Sequence, residues 1–289
     1  MAYRVCITGA VGGLGKAFAK ECASRGWDLF LTDLSEAKLA LLAEGLERLY
    51  GVQALYAPCD LVDPEARDLF WQRVNDLGIK FDMMINVAGL DFEGAMMERS
   101  ADEINTIIRL NIEATVSMTR QAVASRVKSN RLHIINVSSL ASFYPMPLKA
   151  VYAASKRFLL DFSRAMRQEL RSENIRVLAL CPAGLATKPN TISSIESQGW
   201  MGQVTTMQTG MVAARTINRA LANRSTYIPG GINQFVRFVG ALVPPDWVAS
   251  IISWRLSKTR NIAAQAEIEI YEESPVIAQA EAGLLGRNL

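Results

Sequence analysis

The fold is decided by the stretch Arg4-Val5-Cys6-Ile7-Thr8-Gly9-Ala10-Val11-Gly12-Gly13-Leu14-Gly15. Its first five residues predict a buried strand, and the amphipathic segment Leu14–Arg25 predicts a helix after it. The glycines permit a sharp turn close to a ligand, and the first N–H groups of the helix attract an anion. A kinase-type phosphate loop is excluded because Ala10 and Ala17 replace the glycine and the hydroxyl that it requires. The stretch therefore predicts a loop that binds the pyrophosphate of a dinucleotide.

The alternation of a short apolar run with a longer amphipathic segment continues along the chain. Several runs are apolar at successive positions, as burial on both faces of a sheet requires. The pattern predicts an α/β fold of the Rossmann type, a doubly wound parallel sheet of about seven strands flanked by helices. The predicted strands are Arg4–Thr8, Asp28–Thr32, Gln53–Tyr56, Met83–Val87, His133–Val137, Arg176–Leu180 and Thr226–Ile228. The predicted helices include Leu14–Arg25, Glu36–Tyr50, Pro64–Leu77, Ala101–Val127 and Lys149–Arg171.

The composition limits the classes of function. The 289 residues carry a formal net charge of only +3, which gives no reason to expect a nucleic acid as partner. The four cysteines are far apart, and no His/Cys group has the spacing of a metal site. The only histidine, His133, begins an apolar run, so we expect a structural or solvent-facing role for it. Scattered cysteines and the absence of a signal-peptide pattern lead us to expect a cytoplasmic protein.

Domain organisation follows from the absence of repeats and low-complexity linkers. We expect one dinucleotide-binding catalytic domain over residues 1–257 and a C-terminal extension over residues 258–289. Irregular chain is predicted over Ala183–Met211. The apolar stretch Phe235–Leu256 contains prolines and charged residues, which makes it a poor membrane span.

The choice of cofactor depends on Asp33, which follows the second predicted strand. A carboxylate at this place accepts hydrogen bonds from an adenosine ribose and repels a 2′-phosphate. Leu34 follows it, where a phosphate would favour arginine. These residues predict NAD rather than NADP. The alternative is that Asp33 caps the next helix, although Ser35 is an equally good cap.

A second group of polar residues predicts the chemistry. Ser139 follows the strand His133–Val137, and a helix then carries Tyr152 and Lys156. The spacing i, i+4 places these two on one helix face, where an ammonium group lowers the pKa of a phenol. A phenol of this kind can exchange a proton with a substrate oxygen that the serine hydroxyl holds.

With these residues the chain resembles the short-chain dehydrogenase/reductase family, in its single-domain branch, over roughly Tyr3 to Gly230. The resemblance rests on several separate motifs that occur in the family's order. They are Thr8-Gly9-x-x-x-Gly13-x-Gly15, Asp60, Asn86-Val87-Ala88-Gly89, Asn111, Ser139 with Tyr152 and Lys156, and Pro182-Ala183-Gly184-Leu185-Ala186-Thr187.

The resemblance implies a catalytic tetrad and an NAD site. Tyr152 would be the acid, Ser139 would hold the carbonyl oxygen, Lys156 would hold the nicotinamide ribose, and Asn111 would position a relay water. It also implies a homodimer or homotetramer. The implied cofactor contacts are Thr8, Gly9, Gly13, Leu14, Gly15, Asp33, Asp60, Leu61, Asn86, Ala88, Gly89, Tyr152, Lys156, Pro182 and Thr187.

The chain departs from the family pattern at several positions. Val87 replaces an asparagine, Ala183 replaces a glycine beside the nicotinamide, and Ser142 stands where glycine is common. The loop also fits the spacing of the sugar-nucleotide epimerase branch through Gly12, although the chain is short for that branch.

Four polar residues also have structural interpretations. Asn86 would satisfy a strand end, Asn111 would be a buried helix residue with a local partner, Asp60 would cap a helix, and Thr187 would be a loop hydroxyl.

Substrate and partners are predicted from weaker patterns. The long region after the sixth strand is rich in Met and other apolar residues, including Met207, and Met96 and Met97 lie near another strand end. A pocket of this composition suits a bulky apolar ketone or alcohol such as a steroid; ordinary core packing is the alternative. A 3-oxoacyl or other carbonyl reductase, and a non-catalytic NAD-sensing regulator, also stay open. Association with a membrane surface would use Trp247, Ile251, Ile252 and Trp254, which suit a subunit interface equally well.

Overall fold

All seven predicted strands are present in the computed structural model, which describes residues 3–92, 94–184 and 207–254. They form one parallel sheet with the order β3-β2-β1-β4-β5-β6-β7, which confirms the Rossmann-type fold. The strand order reverses between β1 and β4, the place where such sheets bind ligands. The strands are β1 (Arg4–Thr8), β2 (Asp28–Thr32), β3 (Ala54–Tyr56), β4 (Met83–Asn86), β5 (Leu132–Val137), β6 (Ile175–Leu180) and β7 (Thr226–Tyr227).

In most strands, successive side chains enter two apolar clusters, one on either face of the sheet. In β1, Val5 and Ile7 belong to one cluster and Cys6 to the other. In β5, Ile135 and Ile134 divide in the same way. All five side chains are fully buried, and burial of such apolar surface is the main stabilising contribution to the fold.

Helices cover both faces of the sheet. Ser35 and Asp63 cap the second and third helices by accepting hydrogen bonds from Lys38 and Glu65, which stabilises each helix by about 1 kcal/mol. A further helical segment covers residues 245–254. The helices are α1 (Gly13–Ser24), α2 (Glu36–Tyr50), α3 (Pro64–Asp76), α4 (Ala101–Ile108), α5 (Thr115–Ser125), α6 (Ala150–Glu169), α7 (Thr209–Leu221) and α8 (Gly231–Gly240).

The structure corrects the sequence prediction at two helices. The single helix predicted over Ala101–Val127 ends at Ser125 and contains a π-helical turn, Arg109–Ala114. The irregular chain predicted up to Met211 is wrong at its end, because α7 begins at Thr209 and packs against the core. Residues 185–206 and the predicted extension over residues 258–289 lie outside the described residues.

His133 has the structural role that its sequence context predicts. It lies buried in β5, where its imidazole interacts with the backbone of Ala220 in α7. Burial, together with the nearby charge of Arg131, lowers its pKa to about 4. The imidazole is therefore neutral near pH 7.

The described helices also bear on the membrane question. None of them, within the three described ranges, combines the length and the apolar character that crossing a bilayer demands.

Candidate active site

The loop between β1 and α1 is tight enough to require glycine at two positions. Gly9 has a φ of +64°, and a Cβ there would stand 2.8 Å from the backbone of Ala88. A Cβ at Gly15 would stand only 2.0 Å from the carbonyl oxygen of Gly9. Helix α1 begins at Gly13 with neither a side-chain cap nor an acidic residue in its first turn. Its N-terminus therefore keeps the positive potential and the N–H groups that bind an anion.

Asp33 lies beside this loop, as the sequence predicts. Its Oδ2 accepts a hydrogen bond from the backbone N–H of Val11 at 3.0 Å, and its Oδ1 accepts one from Leu34 at 2.8 Å. The cap of α2 is Ser35, so the interpretation of Asp33 as the helix cap is wrong. A carboxylate keeps further acceptor positions after these two bonds, which suits a ribose hydroxyl.

Thr8 joins the ends of β1 and β4. Its buried hydroxyl oxygen accepts hydrogen bonds from the backbone N–H groups of Val87 at 3.1 Å and Ala88 at 3.3 Å. These bonds need only the backbone of Val87, whose side chain packs against a core cluster. The replacement of asparagine by Val87 therefore leaves this connection intact.

The Asn86 side chain belongs to a buried polar network that links strands and helices. Its Nδ2 donates to Thr119 Oγ1 at 3.1 Å and to Asn136 Oδ1 at 2.8 Å. Asn136 in turn donates to Ser163 Oγ of helix α6 at 3.0 Å. Both amide hydrogens of Asn86 are used inside the fold, whereas its buried Oδ1 has no hydrogen-bond partner among the described residues, so the cofactor contact stays a prediction.

Helix α6 brings the predicted acid and the lysine together. The Nζ atom of Lys156 lies 5.8 Å from the centre of the Tyr152 ring. Lys156 is only 4% exposed, and its Nζ donates to the carbonyl oxygen of Val137 at 2.9 Å. A Cβ at Gly89 would lie 3.0 Å from the same Nζ. The absence of a side chain at Gly89 therefore makes room for the lysine.

Ser139 begins a short 3-10 turn, Leu140–Phe143, at the end of β5. Its Oγ accepts a hydrogen bond from the backbone N–H of Ala141 at 3.1 Å and also interacts with the hydroxyl of Tyr152. A serine hydroxyl that accepts one hydrogen bond keeps its own O–H donor and a second lone pair. This arrangement suits a serine that holds a carbonyl oxygen.

Burial dominates the electrostatics of the site. It raises the pKa of Tyr152 to about 12; the charge of Asp91 adds to this effect, whereas the Ser139 hydrogen bond and Lys149 oppose it. Burial also lowers the pKa of Lys156 to about 8. Burial therefore outweighs the charges near the tyrosine, and the expectation that Lys156 lowers the pKa of Tyr152 stays a prediction.

Asn111 lies in the π-helical turn and is fully buried. Its Oδ1 accepts a hydrogen bond from the backbone N–H of Leu90 at 2.9 Å. Its Nδ2 donates to the Leu90 carbonyl and to Ser155 Oγ, both at 3.0 Å. The side chain therefore joins the loop after β4 to helix α6. Because both amide hydrogens of Asn111 are used, the side chain has no donor left for a relay water, which could bind here only through an oxygen acceptor. The relay stays a prediction.

Asp60 follows β3 and is exposed. Its Oδ1 accepts a hydrogen bond from Val62 at 2.9 Å, which closes a turn, while Asp63 caps helix α3. The interpretation of Asp60 as that helix cap is therefore wrong. Leu61 beside it is buried in a core cluster.

The segment after β6 is described only in part. The carbonyl oxygen of Pro182 accepts a hydrogen bond from Leu140 at 2.7 Å, which ties this segment to the turn that Ser139 begins. Thr187, a predicted cofactor contact, lies outside the described residues.

Two of the predicted pocket methionines have other surroundings. Met207 packs against a core cluster, as the alternative interpretation holds. Met97 is 92% exposed in a 3-10 turn, Met96–Glu98. Neither position supports a lining role in a closed pocket.

Four residues that the sequence analysis did not assign also contribute to the site. Ser138 donates to the carbonyl oxygen of Lys156 at 2.6 Å, and Ser155 accepts from Asn111. Lys149 forms an ion pair of 2.8 Å with Asp91 at the rim of the site. The two serines lie inside motifs that the sequence shows, and the lysine lies one turn before the tyrosine, whereas no pattern indicates the aspartate.

Two curated relatives are similar over about two thirds of the chain. It is 33% identical to a very-long-chain 3-oxoacyl-CoA reductase of Anas platyrhynchos over 65% of this chain and 61% of the relative. It is 28% identical to 17-beta-hydroxysteroid dehydrogenase type 3 of Homo sapiens over 63% of this chain and 58% of the relative. The chain thus spans less than two thirds of the length of these relatives.

Two solved structures extend the comparison. A short-chain dehydrogenase from Sphingobium yanoikuyae in complex with NADPH is 26% identical, with a TM-score of 0.73 over 83% of this chain and 93% of the other. A 3-oxoacyl-[acyl-carrier protein] reductase from Brucella melitensis with bound NAD is 27% identical, with a TM-score of 0.70 over 79% of this chain and 90% of the other.

Residues 3–197 match the family model of the short chain dehydrogenases, and this range is more than half of the sequence. That range contains the glycine loop, Asn111, Ser139, Tyr152 and Lys156, whose positions the structure describes. This protein therefore belongs to the short chain dehydrogenase family.

Proposed function

We propose that this protein is an NAD(H)-dependent oxidoreductase that moves a hydride between nicotinamide and a ketone or secondary alcohol. The proposal rests on the grouping of Ser139, Tyr152 and Lys156. They lie at the carboxyl ends of the strands, as the glycine loop does. Family membership and the NADPH or NAD bound to similar proteins support a nicotinamide cofactor.

The residues around the glycine loop fit a dinucleotide. Helix α1 offers an uncapped N-terminus to the pyrophosphate, and the bare backbone at Gly9 and Gly15 permits close approach. When bound, the nicotinamide supplies or accepts the hydride. Asp33 would receive the adenosine ribose, and Lys156 would hold the nicotinamide ribose through donors that its bond to Val137 leaves.

The chain's own residues would divide the proton chemistry. Ser139 would donate a hydrogen bond to the carbonyl oxygen, because the bond that it accepts from Ala141 leaves its O–H donor available. Tyr152 keeps its proton near pH 7 because its pKa is raised to about 12, so it is available as the acid in reduction. Asn111 fixes the loop at Leu90 against helix α6 and thereby the geometry in which these groups meet.

The preference for NADH over NADPH rests on Asp33. Its carboxylate lies against the glycine loop, where it would repel a 2′-phosphate. Similar proteins hold either cofactor, so the preference is a proposal about this residue alone.

For the substrate we propose a bulky apolar ketone or alcohol. The names of the two curated relatives support this class, because one is a very-long-chain 3-oxoacyl-CoA reductase and the other a hydroxysteroid dehydrogenase. Steroid alcohols and 3-oxoacyl chains are therefore the two candidates, and both place an oxidisable or reducible carbon inside a large apolar molecule.

A screen of NADH and NADPH oxidation with steroid ketones, 3-oxoacyl thioesters and small sugars tests the proposal. We expect turnover with at least one apolar ketone, and faster turnover with NADH. Tight NADH binding without turnover of any carbonyl compound would instead support a regulator that senses NAD.

The remaining proposals concern assembly and location. Ile108 and Phe158 are exposed apolar side chains on α4 and α6, the helices near Asn111 and Tyr152, which supports a homodimer or homotetramer through these helices. Exposed Trp247 supports either a subunit contact or association with a membrane surface. A cytoplasmic location stays a prediction. Light scattering and liposome flotation test the assembly and the membrane association.

A further inference from the structure

Tyr152 has a cationic neighbour on each side along the sequence. Lys149, the residue directly before the helix, precedes it by three residues, and Lys156 follows it by four on the same helix face. The Nζ atoms of both lysines lie 5.8 Å from the centre of the tyrosine ring. Lys156 is the lysine that the family motif contains, whereas Lys149 stands outside that motif.

The position of Lys149 is fixed from a second element. Its Nζ forms an ion pair of 2.8 Å with Asp91, which lies in the loop after β4, two residues beyond Gly89. The backbone holds the same two segments together, because the N–H of Gly94 donates to the carbonyl oxygen of Leu148 at 2.8 Å. The ion pair is therefore held beside Tyr152 by two connected loops.

The two members of this pair act on Tyr152 in opposite directions. The charge of Asp91 raises the pKa of Tyr152, and the charge of Lys149 lowers it. The side chain of Lys149 is 18% exposed and that of Asp91 is 39% exposed, so the pair lies at the boundary between the site and solvent. Interactions at such a boundary are only partly screened by solvent.

Other groups also face the tyrosine. Ser139, from the turn after β5, interacts with its hydroxyl, and Lys156 lies along the helix. Asp91 and Cys181, the latter at the end of β6, act on the charge of Lys156. Lys149 and Asp91 therefore add two charges near Tyr152 that the four residues of the family's catalytic tetrad do not supply.

We propose that Lys149 and Asp91 form a positioning pair that sets the readiness of Tyr152 to transfer a proton. The proposal rests on the proposed function, in which Tyr152 is the acid in reduction and, as phenolate, the base in oxidation. Removal of the lysine should make the phenolate harder to form, and removal of the aspartate charge should make it easier to form.

The test compares Lys149→Met with Asp91→Asn. For alcohol oxidation, the pH midpoint of kcat should rise by about half a unit or more in Lys149→Met and fall in Asp91→Asn. Lys149→Arg, which keeps the charge, should restore the midpoint of the unaltered protein. The control is Arg157→Gln with Asp161→Asn, which removes an exposed ion pair of 2.7 Å on the same helix and should leave the midpoint in place.

A second measurement does not require turnover. Tyrosines labelled with ¹³C at the ring carbon that bears the hydroxyl report phenol ionisation by NMR, and the signal missing in Tyr152→Phe identifies Tyr152. Its titration should move in the same opposite directions in Lys149→Met and Asp91→Asn. If it stays in place in both folded variants, the role of the pair is refuted. If it moves but no carbonyl compound is reduced, the pair is supported and the proposed oxidoreductase function fails.

Discussion

The carboxylate of Asp33 accepts a hydrogen bond from the backbone N–H of Val11 over an N–O distance of 3.0 Å, so the end of β2 holds the glycine loop. Asp33→Asn removes the charge and keeps an acceptor for this bond, although it gives up the bond from Leu34 to the second oxygen. We expect NADPH to bind more tightly relative to NADH, because its 2′-phosphate is no longer repelled. The ratio of the two dissociation constants should shift by about tenfold. Fluorescence titration with NADH and NADPH measures the ratio, and an unchanged ratio would show that another group selects the cofactor.

Gly89→Ala tests the close packing under the catalytic lysine. The added Cβ would stand 3.0 Å from both Lys156 Nζ and Asn111 Oδ1, so these groups must move by a few tenths of an ångström. We expect kcat to fall roughly tenfold because small displacements of catalytic groups are costly. Gly45→Ala in helix α2, where nothing lies within 4 Å of the new Cβ, is the control and should keep kcat. Equal kcat values for both variants would contradict the packing argument.

Lys156→Met should stabilise the protein while it inactivates it. The pKa of Lys156 is lowered to about 8 by burial, so at pH 7 the folded state bears the cost of a buried charge. We expect the free energy of unfolding at pH 7 to rise by about 1–3 kcal/mol.

The pH dependence supplies the check on this sign. Below pH 8 the lysine is protonated in both the folded and the unfolded state, and the full cost is present. As pH rises towards 10.5, the ordinary value, the cost disappears and the two proteins should become equally stable. Denaturant unfolding at several pH values measures the difference; a variant that is less stable at every pH would contradict this assignment.

His133 should make the fold sensitive to acid. Burial lowers its pKa to about 4 from the ordinary 6.5, so between these values the unfolded state binds a proton that the folded state does not. Stability is therefore lost as pH falls from 6.5 to 4 and changes no further below that through this residue. The His133→Gln variant should lose roughly 2 kcal/mol less of its free energy of unfolding over this pH range than the unaltered protein does. Parallel stability curves for the two proteins would refute the buried neutral imidazole.

The sequence predicts the strands well because their apolar character is a local property of each run. The predicted β1 and β2 coincide with the observed strands, and the predicted helix over Glu36–Tyr50 has the observed bounds. Ser139, Tyr152 and Lys156 are likewise predicted, since a strand end and an i, i+4 spacing are enough to place them.

The sequence does not predict features that depend on contacts between distant segments. The π-helical turn around Asn111 comes with hydrogen bonds to Leu90 and Ser155, from two other elements. The ion pair of Lys149 with Asp91 joins residues 58 positions apart. Burial of the site likewise depends on the whole fold, which is why the raised pKa of Tyr152 could not be predicted from the sequence.

The central claim is that the hydroxyl of Tyr152 transfers the proton, and Tyr152→Phe tests it most directly, because only one oxygen atom is removed. Turnover of NADH with the best ketone from the screen should fall by at least about a hundredfold, whereas the dissociation constant of NADH should stay nearly unchanged. Turnover close to that of the unaltered protein, at equal NADH binding, would contradict the claim.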